Sequence, residues 1–236
     1  MCGRIASFTE RWIDVSWFKI GIILFLLPLL LIEDVFGQKG EDVLLDRKIS
    51  VRLSDATLQY SLGTLVQQYG IAVGLEKSPD HKDLSSINVD VTGESLRNIL
   101  DLIVAQDGNY EWSVATGVIN FTPRRKRDDF LKLFLDLRIS QIDFPMDKEN
   151  DAFSLRKRIF ELAEVKVLLT SKRIDEAGIL YHSPSSQPMF AKNNGDLTSS
   201  NITIKEFLNK IVRCSDHKTW VVEMVGKDRD KLLISF

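Results

Sequence analysis

Cysteine and histidine are scarce in this 236-residue chain: two cysteines, Cys2 and Cys214, and three histidines, His81, His182 and His217. That scarcity excludes a disulfide-stapled scaffold and leaves little from which to build a zinc centre, which takes four ligands in defined pairs. Cys214 and His217 stand at C-x-x-H spacing, but no second pair answers them. Cys214 therefore reads as a helix-end residue near the core, and His217 as part of an exposed cap. Net charge is also small, 31 basic against 33 acidic residues for a formal −2. No global field draws the chain to nucleic acid or to an anionic membrane. Catalytic signatures are missing too: there is no Gly-rich phosphate loop, no H-E-x-x-H helix and no nucleophile paired with a base. No catalytic residue, cofactor or metal is expected.

One long apolar run departs from this ordinary composition. "IGIILFLLPLLLI" (residues 20–32) carries no charge and follows Arg11 and Lys19. A spanning helix needs roughly 20 apolar residues; this core is shorter and contains Pro28, as a signal-peptide core does. Residues 1–37 are thus expected to be an export signal cut between Gly37 and Gln38, where Val35 and Gly37 supply the modest side chains a peptidase reads. The alternative is an uncleaved anchor holding the chain at the inner membrane, which would be its only membrane contact. With Cys2 removed, Cys214 would have no internal partner, so an exported chain must hold itself together by apolar cores.

The remainder is built from short amphipathic pieces. "KISVRL" alternates Ile49, Val51 and Leu53 with polar neighbours, the pattern of a half-buried strand. A helix capped by Ser54 or Asp55 follows, with Leu58, Leu62, Leu65 and Val66 on one face and Gly70 at its end. "IAVGLE" and "INVDV" read as strands. Next come a helix buried through Leu96, Ile99, Leu100, Ile103 and Val104, and a hairpin setting Tyr110, Trp112 and Val114 against Ile119 and Phe121. "RRKRDD" breaks the periodicity, so residues 124–130 read as a basic linker. A strand is then expected within "LFLDLRIS", one helix over "FSLRKRIFELAEV", and an enlarged loop over residues 182–200.

An internal repeat underlies this order. "NILDLIVAQDGNYEW" returns as "EFLNKIVRCSDHKTW", so that Leu100, Ile103, Val104 and Trp112 find the same residue types at Leu208, Ile211, Val212 and Trp220. Two copies of one small α+β unit, β-α-β-β-α-β with a closing hairpin, are expected in tandem over residues 48–123 and 131–236. The shared positions are apolar, which reports folding more than a shared ligand.

The first unit resembles the secretin and TonB short N-terminal domain. The likeness rests on "ISVRLSDATLQYSLGTLVQQYGIAVGLE" and "INVDVTGESLRNILDLIVAQDGNYEWSVATGVINF": an I-x-V strand, a leucine helix, a V-x-V-x-G strand entering a second helix, and an aromatic hairpin. The second unit joins it only through the internal repeat. The resemblance implies a bacterial envelope module that contacts protein partners and does not catalyse. No barrel, secretin ring or plug follows residue 123, so the transport activity of those larger proteins is not implied. The same element order occurs in ferredoxin-like RNA-binding domains, but their aromatic strand motif is missing here. The expected partner is an envelope protein, with no nucleic acid.

Overall fold

The computed structural model describes residues 41–79, 86–145, 151–177, 190 and 196–236. The export-signal residues, including Gly37 and Gln38, lie outside the described residues. What is described is mixed α+β, as the apolar periodicities require.

In the first half, β1 (Lys48–Ala56) alternates as expected and buries Ile49, Val51 and Leu53. It runs past Ser54 and Asp55 because its ladder with β3 (Ile87–Ser95) bulges there: Asp55 takes φ 49°, and its N–H donates to Asn88 Oδ1 at 3.0 Å. The helix cap is therefore Thr57, which accepts from the Tyr60 N–H and opens α1 (Leu58–Tyr69). β2 (Val73–Glu76) is short and buried throughout. Ser95 caps α2 (Leu96–Asp107), whose buried stripe is the expected one. β4 (Tyr110–Ala115) and β5 (Val118–Pro123) form the hairpin, pairing Trp112 with Phe121 and Val114 with Ile119. Its two-residue turn holds Thr116 at φ 53° and Gly117 at φ 75°. Positive φ at both central positions matches the twist of the flanking strands.

The second half departs further from expectation. The strand expected within "LFLDLRIS" begins only at Arg138; the segment before it, "DFLKLFL", which takes in the end of the expected linker, is α3 (Asp129–Leu135), with Asp128 as cap and Leu131, Phe134 and Leu135 buried at helical spacing. Short apolar runs are ambiguous between the two periods; here the cap decides, accepting from the N–H groups of Phe130 and Leu131. Residues 41–45 form a comparable helical turn before β1, so the repeat begins earlier than its apolar pattern suggests. After β6 (Arg138–Pro145), the expected single helix is two, α4 (Ala152–Glu161) and α5 (Ala163–Lys172), broken where Leu162 adopts an extended ψ of 135°. β7 (Asp175–Glu176) follows. Most of residues 182–200 lie outside the described residues, but 196–200 belong to a strand, β8 (Asp196–Thr203), because they pair with β6. A capping box between Thr203 and Glu206 starts α6 (Ile204–Cys214), and β9 (Thr219–Val225) with β10 (Lys231–Ser235) closes the chain.

Each half uses the same pairing. β1 pairs antiparallel with β3, and β6 with β8; β2 lies parallel to β5, and β7 to β10; β4 and β9 are antiparallel to β5 and β10. The halves then join edge to edge, because β2 also pairs with β9, in parallel. The result is one six-stranded sheet ordered β4-β5-β2-β9-β10-β7. Strand order is kept across the junction while direction reverses, which is a half-turn about a line crossing the strands. A half-turn exchanges faces. Accordingly Val73, Leu75, Ile119 and Phe121 pack into the first-half core, whereas Trp220, Val222, Leu232 and Ile234 pack into the second-half core on the opposite face.

Gly74 makes this junction possible. It is in register with Trp220, and a Cβ built on it would lie 2.3 Å from two indole carbons. Replacing Gly74 with Ala forces the buried indole aside and is expected to cost about 1–3 kcal/mol of stability, the range for overpacking a close-packed core. Urea unfolding followed by tryptophan fluorescence and by far-UV circular dichroism measures that loss.

Candidate functional site

The repeat residues singled out from the sequence gather in two places. Leu100, Ile103 and Val104 are buried on α2 in the first core, and Leu208, Ile211 and Val212 on α6 in the second. Trp112 and Trp220 occupy the same position on β4 and β9. Their surroundings differ: Trp220 is 1% exposed, while Trp112 on the outer strand is half-buried. Both indoles are held alike. Trp112 Nε1 donates to Asp101 Oδ1 at 2.9 Å, and Trp220 Nε1 to Asn209 Oδ1 at 2.8 Å. Asp101 and Asn209 each stand eleven residues before their tryptophan and are related by the offset of the repeat. This polar part of the repeat was readable in the sequence. An apolar comparison passes over it, because a carboxylate and an amide score as different residues although each offers the same acceptor oxygen.

A charged seam runs along the junction. Glu76 ends β2 beside Val222 of β9, and its carboxylate is 2% exposed. Arg127 Nε donates to both its oxygens, at 2.7 and 2.9 Å. Lys205, in the first turn of α6, and Asp136, the C-cap of α3, are close enough to act on Glu76 electrostatically. Two further pairs flank this cluster: Lys77 with Glu223 at 3.3 Å, and Arg229 with Asp128 at 2.9 Å. Asp128 thus caps α3 through one oxygen and holds the β9–β10 hairpin through the other. The basic run expected as a plain solvated linker is therefore stapled to both halves at Arg127 and Asp128.

Burial raises the Glu76 carboxyl above its ordinary value, against the lowering exerted by the hydrogen bond and charge of Arg127 and by Lys205. Burial works against the Arg127 charge, yet the hydrogen bond to Glu76 and the charges of Glu76, Asp136 and Glu111 outweigh it and raise its pKa. Lys205 is lowered by burial and by Arg127. Away from the seam, Arg156 is buried on α4 with its Nε 3.4 Å from Glu176, and burial lowers its pKa.

Cys214 ends α6 as expected but is exposed, not near the core, because the last turn of the helix points it to solvent. Among the described residues no group of three or more His, Cys, Asp or Glu side chains could hold a metal ion, and no helix is long and apolar enough to cross a membrane. The arrangement is suited to locking one sheet edge against another; it brings together no nucleophile and base.

The Glu76 seam has a pH signature. A carboxyl whose folded pKa is raised favours the protonated form in the fold, so its contribution to stability is lost as pH rises through the folded value. The stability of wild type relative to Glu76→Gln, from urea titrations, is therefore expected to fall as pH rises from the ordinary carboxylate range through that value, then level off. Glu76→Ala strands Arg127 and is expected to cost about 3 kcal/mol at neutral pH. No protein-family model matches the chain, and no curated protein matches it either.

Proposed function

We propose that this chain is a non-catalytic docking adaptor of the bacterial envelope, exported by its N-terminal segment and built on modules like the secretin and TonB short N-terminal domain. The observation that carries this reading is the junction itself. Two copies of one pairing scheme associate by adding the strand edge of one to the strand edge of the other, so the unit already uses inside the chain the association it would use with a partner. Strand addition supplies affinity through main-chain hydrogen bonds and selectivity through alternate side chains.

Further support comes from the pairing in residues 48–123, where a two-stranded and a three-stranded sheet are packed with two helices in one core. The ion pairs of the seam, built around the buried Glu76, link β2, the connection between the halves and the β9–β10 hairpin, and so hold the halves in register. Charge clustered this way resists wrong alignment of the two sheet edges, since a shifted register would part Lys77 from Glu223 and Asp128 from Arg229.

Cross-linking of the tagged full-length chain in its native host, followed by mass spectrometry of its partners and of its own N-terminus, tests the reading. The expected result is reproducible capture of an envelope transport or signalling protein by a chain beginning at Gln38. A chain retaining residues 17–32 and held at the inner membrane would replace the exported adaptor with a tethered regulator. Capture of no partner above background would overturn docking.

A further inference from the structure

We infer that the outer edge of β4 is the docking edge, and that its occupant is an extended segment of a partner protein lying parallel to β4 with a glycine beside Trp112. This rests on the adaptor reading and names the surface that performs it.

The internal repeat supplies the template. β9 is to the second half what β4 is to the first, and the outer edge of β9 is filled by β2. There the Val73 N–H donates to the Lys218 carbonyl at 2.8 Å and the Lys77 N–H to the Val222 carbonyl at 2.9 Å. The strand thus offers the groups of residues 218, 220 and 222. At the repeat offset their counterparts are Tyr110, Trp112 and Val114. The two-residue turn makes Ala115 and Val118 a hydrogen-bonded pair, so alternate residues back along β4 face β5. The Asn109 carbonyl, accepting from the Arg124 N–H at 2.8 Å, continues that set. The main-chain groups of Trp112 and Val114 therefore point outward, and among the described residues no strand pairs with them.

The side chains agree. Trp220 lies across Gly74 of its neighbouring strand, and Trp112 is anchored by an equivalent hydrogen bond from the equivalent helix position. A strand entering beside Trp112 meets the same indole, so a glycine is required there for the same reason. Of the residues that protect an edge, β4 carries one charged side chain, Glu111, and over Tyr110–Ala115 neither lysine nor proline. The opposite edge does not invite a strand in this way, since β7 is two residues long and both are acidic. That acidity argues against a second copy as occupant, because Asp175 and Glu176 of one chain would approach the exposed Glu111 of the other.

The test uses the full-length chain and a synthetic peptide with the sequence of its own β2 and flanks, IAVGLEKS (residues 71–78), followed by NMR at the Trp112 indole N–H. The expected result is a saturable shift with this peptide, about tenfold or more weaker binding when its glycine is replaced by valine, and a similar loss in the Val114→Pro chain. That substitution removes an outward N–H and leaves the bonds to β5 in place; circular dichroism melting checks that the variant folds. The inference is overturned if neither peptide shifts the indole, if glycine and valine peptides bind alike, or if a folded Val114→Pro chain binds undiminished. It is also overturned if sedimentation shows self-association that Val114→Pro abolishes, since a second copy would then fill the edge. Partner cross-linking that survives Val114→Pro leaves docking intact and refutes only this edge.

Discussion

The parallel ladder between β2 and β9 is the interaction on which the rest of the molecule depends. Each half alone has a three-stranded sheet with two edges, and a sheet that small leaves much of its area at the margin. Joining β2 to β9 removes one edge from each and makes both central. The join also sets the architecture. Because order is kept while direction reverses, the helices of the two halves must cover opposite faces. Each core can then be packed without competing for the same side of the sheet. Gly74 and Trp220 are the contact that allows the approach: a buried indole packs against the residue that has no side chain.

The charged seam follows from the same join. Ending a buried strand with Glu76 brings a carboxylate into a place where its charge is costly, and the connecting segment answers it with Arg127. A buried ion pair of this kind is weak support for stability by itself, since desolvation offsets much of the attraction. Its effect is on alignment. Glu76, Arg127, Asp128 and Arg229 come from β2, the connection between the halves and the β9–β10 hairpin, so the network is complete only in one register. The connection between halves is thus part of the joint it crosses.

The outer edge of β9 is covered by β2, whereas among the described residues no strand covers that of β4, and equivalent residues therefore carry different loads. Trp220 with Asn209 is buried inside the molecule; Trp112 with Asp101 faces the margin with the same geometry and less cover. Asn209 is neutral where Asp101 carries a carboxylate, as its burial demands: an ionised side chain under α6 would need a compensating charge. The fold sets no reaction by its own shape; among the described residues, what distinguishes the halves is that β9 has a strand on its outer edge and β4 does not.

The apolar periodicities determined the α+β class, the helix stripes on α1, α2 and α6 and the two hairpins, because these are local or nearly local consequences of which side chains avoid water. They did not show the helix over residues 129–135, where a linker and then a strand were expected and the cap at Asp128 decides. They did not show the break at Leu162 or the bulge at Asp55, since both answer to strands and helices distant in sequence. The Trp–Asx pairs were legible in the spacing alone. The seam was not: Glu76 and Arg127 are fifty-one residues apart, and nothing along the chain marks a glutamate at the end of one strand as the partner of an arginine in a basic run. Only the sheet, by placing β2 beside β9, turned two units in tandem into one molecule. Edge pairing is made by main-chain groups that every residue carries, and so it leaves almost no trace in side-chain pattern.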